Sequence, residues 1–90
     1  MNIGYLATYK AGHDKGKVFV IIAEENEYLW IADGKARTVL HPKKKKKKHV
    51  QIIKVLEDDH VIQSLKDGKT VKEEDIRRII KLYLNKQRNA

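Results

Sequence analysis

The stretch Gly12-His13-Asp14-Lys15-Gly16 decides the fold, because it separates two apolar runs at residues 5–9 and 18–23. Glycine adopts positive φ at little cost, so Gly12 and Gly16 suit a tight, strongly bent connection. The runs on either side are rich in β-branched and aromatic residues, which are typical of strands. The pattern therefore predicts two strands joined by a glycine loop, with at least one of the two glycines at positive φ.

Five short strands are predicted when the chain is followed outward from this loop. Their expected bounds are residues 4–9, 17–23, 28–32, 37–41 and 50–55. The second strand is apolar on both faces, which predicts a central place in the sheet. Asp33-Gly34 predicts a type I′ hairpin turn, and Pro42 predicts the end of the fourth strand. Short strands joined by tight turns favour a small barrel, since closing the sheet removes its edges.

The third strand poses a question that the sequence leaves open. Alternation places Tyr28 and Trp30 on one face of the strand and Leu29 and Ile31 on the other. One of these faces must belong to the core. Aromatic rings in a small barrel either fill the core or, on an outer face, stack on unpaired nucleic-acid bases.

The pattern changes near residue 57, which divides the chain into a barrel at residues 1–56 and a helical extension at residues 57–90. Thr70 and Glu73 have the spacing of a helix-capping box. An amphipathic stripe follows at positions i, i+3, i+4 and i+7. Its members are Ile76, Ile79, Ile80 and Tyr83. The stripe is expected to be buried, either against the barrel or against a partner.

Positive charge is concentrated in one part of the chain. The formal net charge is +8, and residues 35–54 carry nine basic and no acidic side chains. Six of these basic residues are the consecutive lysines at positions 43–48. A concentrated basic block predicts a polyanionic partner, and nucleic acid is the commonest one. The competing interpretation is a solvated loop that only aids solubility.

Composition also narrows the cellular setting. The chain has no cysteine, which excludes disulfides and cysteine-ligated zinc and favours a reducing compartment. The first residues lack the basic and apolar segments of a signal peptide, and the longest apolar run is too short to span a bilayer. These features predict a cytoplasmic protein without a membrane partner.

The segment at residues 5–22, centred on Gly12-His13-Asp14-Lys15-Gly16, resembles a KOW motif, which is a glycine-centred loop between two strands. The resemblance continues through the Ala-Asp-Gly turn, Pro42-Lys43-Lys44-Lys45 and Lys48-His49. Residues 3–55 thus resemble small bacterial KOW-domain RNA-binding proteins, which are similar to a KOW-bearing protein of the large ribosomal subunit in archaea and eukaryotes. The resemblance implies an SH3-like five-stranded barrel that binds RNA. Large-subunit ribosomal RNA is the expected partner, and ribosomal proteins are further expected partners.

Basic residues around the glycine loop and the lysine run are the candidate RNA contacts. Lysine acts as a point charge without the bidentate fork of arginine, so contact with phosphates is expected rather than readout of sequence. The predicted contacts are Lys15, Lys17, Lys35, Arg37, Lys43, Lys44, Lys45, Lys46, Lys47, Lys48, His49 and Lys54. Gly12 and Gly16 are expected to set the geometry of the loop, whose backbone amides are further phosphate donors.

Nothing in the residue pattern indicates an enzyme. The four histidines match no standard zinc spacing, and no serine–histidine motif is present. The acidic residues lie in turns and helix starts, where capping explains them. No metal, cofactor or small-molecule substrate is therefore expected. The competing hypothesis for function is a protein–protein module that binds a partner through the barrel face or through the stripe of the last helix.

Overall fold

The computed structural model describes residues 3–10, 12, 16–54 and 60–88, and five strands and two α-helices lie within these ranges. The elements are β1 (Leu6–Tyr9), β2 (Val18–Glu25), β3 (Tyr28–Ala32), β4 (Lys43–Lys46), β5 (Val50–Lys54), α1 (His60–Lys66) and α2 (Glu73–Arg88). A 3₁₀ turn at Lys47–His49 joins β4 to β5. The paired strands are antiparallel and lie in the order β4-β3-β2-β1-β5. The predicted mainly β, small barrel-like fold with a helical tail is confirmed.

Both faces of the sheet are buried around the central strand β2. One face carries a set of buried residues that we call the barrel cluster: Ala7, Tyr9, Phe19, Ile21, Leu29, Ile31 and Val50. The other face packs against the helices in what we call the helix cluster: Leu6, Val20, Val61, Ile62, Leu65, Val71, Ile76 and Ile79. Successive β2 side chains point to opposite faces and so alternate between the two clusters. The predicted central place of the second strand is confirmed.

The amphipathic stripe of α2 packs on the sheet of the same chain. Ile76 and Ile79 are 0% and 4% exposed, and Ile80 and Tyr83 are partly buried against the same cluster. The sequence left open whether the stripe covers the barrel or a partner, and the structure places it against the barrel. Ile76 and Ile79 are therefore not accessible to a partner in this fold.

The capping box predicted at Thr70 and Glu73 is wrong. α2 begins at Glu73 itself, and both carboxylate oxygens of Glu73 accept from the backbone N–H of Val39 at 3.0 Å. Val39 lies in the loop between β3 and β4, so the carboxylate ties that loop to the start of the helix. The capping box is a local pattern. Here the carboxylate of Glu73 instead accepts from a backbone N–H of a distant segment.

Asp33-Gly34 does not form the predicted type I′ hairpin turn. Such a turn needs positive φ at both central residues. Gly34 has a φ of 79°, but Asn26 is the one described non-glycine residue with positive φ. The Asp33 Oδ1 instead accepts from two backbone N–H groups that follow it, at 2.8 and 2.9 Å, and this bends the chain into a loop. Gly34 is buried against α2, and a Cβ added there would lie 2.6 Å from the carbonyl oxygen of Glu73.

The fourth strand predicted at residues 37–41 is also wrong. Residues 33–42 form an irregular loop, and the strand that pairs with β3 on the side away from β2 is β4, inside the lysine run. The sequence places the lysine run in a basic loop between the strands predicted at residues 37–41 and 50–55, whereas the structure shows an edge strand continued by a 3₁₀ turn. Lysine is depleted in strands, so no local pattern indicates β4. Its strand conformation comes from pairing with β3.

The two glycines described in the loop between β1 and β2 have the expected backbone geometry. Gly12 and Gly16 both have positive φ, at 96° and 87°, which confirms the prediction. A Cβ added at either glycine would meet no heavy atom of the described residues within 4 Å. These glycines therefore serve the bend of the chain, whereas Gly34 also serves a close approach between two segments.

Candidate nucleic-acid interface

The edge strand β4 consists entirely of lysines. Its register with β3 is Ile31↔Lys43, Trp30↔Lys44, Leu29↔Lys45 and Tyr28↔Lys46. Side chains alternate along a strand. Lys43 and Lys45 are accordingly half-buried on the barrel side, whereas Lys44 and Lys46 are exposed on the outer side. The lysines thus place positive charge on both faces of one sheet edge.

The two barrel-side lysines reach over Tyr9. The Nζ of Lys45 lies 4.8 Å from the centroid of the Tyr9 ring, and the Nζ of Lys43 lies 5.7 Å from it. Tyr9 in turn packs against Phe19, with ring centroids 4.8 Å apart. Lysine stems bury their methylene groups along apolar surface while the charged end stays in water. These two lysines therefore cover part of the barrel cluster and place charge at its rim.

On the outer face, Lys44 lies over two aromatic rings. Its Nζ is 4.2 Å from the centroid of Tyr28 and 5.5 Å from that of Trp30. Leu29 and Ile31 are 2% and 1% exposed, so their face of β3 belongs to the core. Tyr28 and Trp30 are half-buried on the opposite face. The question that alternation left open is answered: the aromatic rings stand beside the exposed lysines.

The 3₁₀ turn holds the remaining part of the lysine run. The Nζ of Lys47 lies 2.7 Å from Oε2 of Glu24, and the Lys47 backbone N–H donates to the carbonyl of Glu27 at 2.8 Å. Lys48 and His49 follow, and both are exposed. Lys47 therefore anchors the turn to β2 and to the β2–β3 turn, and part of its charge is compensated before any ligand binds.

The other predicted contacts are distributed over loops and the far edge of the sheet. Lys35 and Arg37 are exposed in the loop between β3 and β4, and Lys17 is exposed just before β2. Lys54 is exposed on β5, at the sheet edge opposite β4. Lys15 lies outside the described residues. The structure brings Lys17 and Lys35 to a groove beside α2 but places Lys54 elsewhere.

This groove is also lined by basic side chains of α2 that the sequence did not identify as candidate RNA contacts. Its basic lining residues are Lys17, Lys35, Arg77, Arg78 and Lys81, and we call the site the α2 groove. Asp33 supplies the carboxylate of its lining. In the sequence, the only signal is the spacing of the three helix cations, which is i, i+1, i+4 on the polar side of α2. The same spacing is common on any solvated helix face, so it does not by itself indicate a site.

Comparison of the chain with protein-family models and with curated proteins finds no match. Neither helix in the described part of the chain is long and apolar enough to cross a membrane. Across residues 3–10, 12, 16–54 and 60–88, no group of three or more His, Cys, Asp and Glu residues is placed to hold a metal ion. Function is therefore inferred from the basic surfaces themselves.

Proposed function

We propose that the protein is a non-catalytic, cytoplasmic RNA-binding protein whose edge strand β4 docks on the phosphate backbone of RNA. Large-subunit ribosomal RNA is the proposed target. The observation that carries this proposal is the paired, ordered lysine strand at the sheet edge, Lys43–Lys46. Like charges held side by side repel, and a polyanion relieves that repulsion while releasing its own counterions.

The strand geometry makes this edge a suitable backbone contact. Alternate residues of a strand lie about 6.6 Å apart on one face. Lys44 and Lys46 are exposed in this spacing on the outer face, and Lys48 is exposed in the turn that follows. Phosphate contacts position a protein on nucleic acid without reading its sequence, which suits the point charge of lysine.

The aromatic rings add a second type of contact. Tyr28 and Trp30 stand on the outer face below Lys44, and aromatic rings stack on unpaired bases whatever their identity. A base that stacks there has to displace the Lys44 ammonium, which then becomes free to contact a phosphate. The KOW-like sequence around Gly12 and Gly16, which are both exposed, supports the same proposal because backbone amides also bind phosphates.

Two alternatives to RNA binding lead to different predictions: edge protection by the lysines, and a protein–protein module in which the lysines only aid solubility. Lysines on an edge strand prevent edge-to-edge association between copies of a protein. A protein–protein module is the second candidate function, through the barrel face alone, because Ile76 and Ile79 of the stripe are buried. Neither alternative predicts that the logarithm of RNA affinity falls linearly with the logarithm of salt concentration.

The test is a titration with RNA across a range of salt concentrations. The test variant is Lys44→Ala/Lys46→Ala/Lys48→Ala, and the matched control is Lys66→Ala/Lys69→Ala/Lys72→Ala, which removes the same charge from exposed positions outside β4. If five or six lysines neutralise phosphates, the slope of log affinity against log salt is on the order of −4 to −5. The test variant should flatten it by about 2 to 3, and the control should not.

The outcomes separate the three roles of the lysines. A slope that is equal in the wild type and the test variant would show that β4 does not contact phosphates, and the protein–protein module would become the better proposal. An unchanged slope together with new self-association would assign the lysines to edge protection. A loss restricted to a ribosomal RNA fragment, absent from a scrambled control, would show readout of shape or sequence by the strand. A sucrose-gradient profile of the native protein tests whether ribosomal subunits are the target.

A further inference from the structure

We propose that the α2 groove is a second contact for the RNA backbone, so that the C-terminal helix is part of the RNA interface as well as a cover for the sheet. The inference deepens the proposed RNA binding and depends on it. Three separate segments of the chain form the surface of the groove: the residues before β2, the loop after β3 and the middle of α2.

The groove carries a large excess of positive charge. Among the described residues, five cationic side chains line it, and Asp33 is the one acidic residue of that lining. The Oδ1 of Asp33 already accepts two backbone N–H groups, from Lys35 at 2.8 Å and Arg37 at 2.9 Å. The carboxylate therefore has a structural role in the loop, and the described lining of the groove keeps a net positive charge that attracts an anionic ligand. A concave surface of one sign of charge attracts the opposite sign more strongly than a flat one.

The walls of the groove are held together before any ligand arrives. The Nη1 of Arg77 donates to the carbonyl oxygen of Gly34 at 2.6 Å, which ties α2 to the loop after β3. The same loop is tied a second time, since the Val39 N–H donates to the Glu73 carboxylate. A guanidinium has five N–H donors in a planar fork, so the bond to Gly34 leaves Arg77 donors for phosphate oxygens. Preorganised walls lower the entropic cost of binding.

The helix dipole does not explain why cationic side chains line the groove. Cations stabilise a helix when they lie in its last turn. Arg77 and Arg78 instead lie in the second turn of the 16-residue helix α2. The dipole also has no bearing on Lys17 and Lys35, which come from other segments and line the same groove.

RNA is favoured over an acidic protein as the occupant because the groove continues the proposed β4 interface. β2 begins and β3 ends at the same end of the sheet, since these neighbouring strands are antiparallel. β4 begins at that end too, because Lys43 pairs with Ile31. A phosphate backbone that leaves the start of β4 therefore reaches the loop after β3 and the α2 groove without crossing the sheet.

The test compares two variants that remove the same charge. Lys35→Gln/Lys81→Gln takes one exposed cation from each wall of the groove, and Lys66→Gln/Lys69→Gln removes two exposed lysines outside it. The probes are a short RNA hairpin, an oligouridylate with the same number of phosphates, and polyglutamate of matched charge. The groove variant should flatten the salt slope for both RNAs by about 2, since each lost phosphate contact changes the slope by about 1. The control should keep the wild-type slope, and both variants should melt like the wild type.

The outcomes distinguish a failure of the groove as an RNA contact from a failure of the proposed function. If the wild type binds neither RNA, both proposals fail. If the β4 variant loses affinity but the groove variant behaves like its control, the inference alone is overturned. If the groove variant loses affinity and the β4 variant does not, the groove stands as the RNA contact and the assignment to β4 falls. If polyglutamate binds the wild type as well as RNA does, and the groove variant loses it equally, the groove is a site for acidic proteins and the RNA assignment is wrong.

Discussion

The two faces of the sheet are covered by different kinds of side chain. As a result, the residues that stabilise the fold are separate from those that carry the positive charge. Two helices cover one face, and the buried residues of the helix cluster there are 0–8% exposed. The other face encloses the barrel cluster, and at its edge the stems of Lys43 and Lys45 lie over Tyr9. Apolar helix residues cover a face without adding charge, whereas lysine stems cover a rim and bring charge to it.

Substitutions in the helix cluster and substitutions of the lysines should therefore have different effects on stability and on RNA affinity. Substitutions in the helix cluster should lower the free energy of unfolding and leave the RNA affinity of the folded protein unchanged. Substitutions of the lysines of β4 should lower RNA affinity and change stability little. Gly34 stands between these classes, because it lies where the loop after β3 meets α2.

The largest effect is expected for Ile79→Ala in the helix cluster. Ile79 is 4% exposed, and truncating a buried isoleucine costs about 2 to 4 kcal/mol because it removes buried area and leaves a cavity. Leu82→Ala is the matched control, since Leu82 lies on the same helix but is 51% exposed. Its effect should stay within about 0.5 kcal/mol. Urea unfolding measures both variants, and equal losses would show that α2 does not pack on the sheet through Ile79.

A slightly smaller effect is expected for Gly34→Val. Its φ of 79° is strained for a valine, and the added Cβ would lie 2.6 Å from the Glu73 carbonyl oxygen, so backbone has to move. The two contributions together should cost about 2 to 3 kcal/mol. Gly12→Val has the positive φ without the contact, and it should cost about 1 kcal/mol or somewhat more.

Thermal melts of the two glycine variants, measured side by side, distinguish the cost of positive φ alone, at Gly12, from the added cost of the close contact at Gly34. A Gly34 variant no less stable than the Gly12 variant would mean that the loop and α2 separate at little cost. A Gly12 variant that melts like the wild type would instead show that the glycine loop does not need a tight bend at this position.

The smallest effect on stability is expected for Lys44→Met on the outer face of β4. The change keeps an apolar stem but removes the ammonium over Tyr28 and Trp30, which should cost about 0.5 to 1 kcal/mol. Lys46→Met, on the same exposed face, should change stability by less than about 0.5 kcal/mol. Each variant should flatten the RNA salt slope by about 1. A loss of stability above that of Ile79→Ala would contradict the separation of charge from stability.

Local pattern was sufficient for the features that depend on neighbouring residues. The alternation and β-branched content of residues 28–32 predicted β3 with the bounds that the structure has, Tyr28–Ala32. The continuous apolar run of β2 predicted its central place, because a strand buried on both faces needs apolar residues on both. The spacing of Ile76 and Ile79 predicted a buried helix stripe for the same reason. The concentration of charge in residues 35–54 was likewise a property of the chain alone.

Long-range contacts decided the rest. β4 is a strand because β3 offers it a partner, and six lysines in a row carry no local sign of this. Asp33-Gly34 has the sequence of a hairpin turn, yet Gly34 is used to let α2 approach. The outward face of Tyr28 and Trp30 depended on which side of the sheet encloses the barrel cluster.

Where periodicity was strong, the order of residues alone was enough to predict the strands and helices, and it also showed where the charge is concentrated. The tertiary structure alone decided how the charge is presented: as an ordered strand at an edge, and as a groove with cations from three segments. The physical reason is that periodicity reports on burial within one segment. The position of a lysine relative to residues 40 or more positions away depends on how segments pack, as for Lys35 and Lys81.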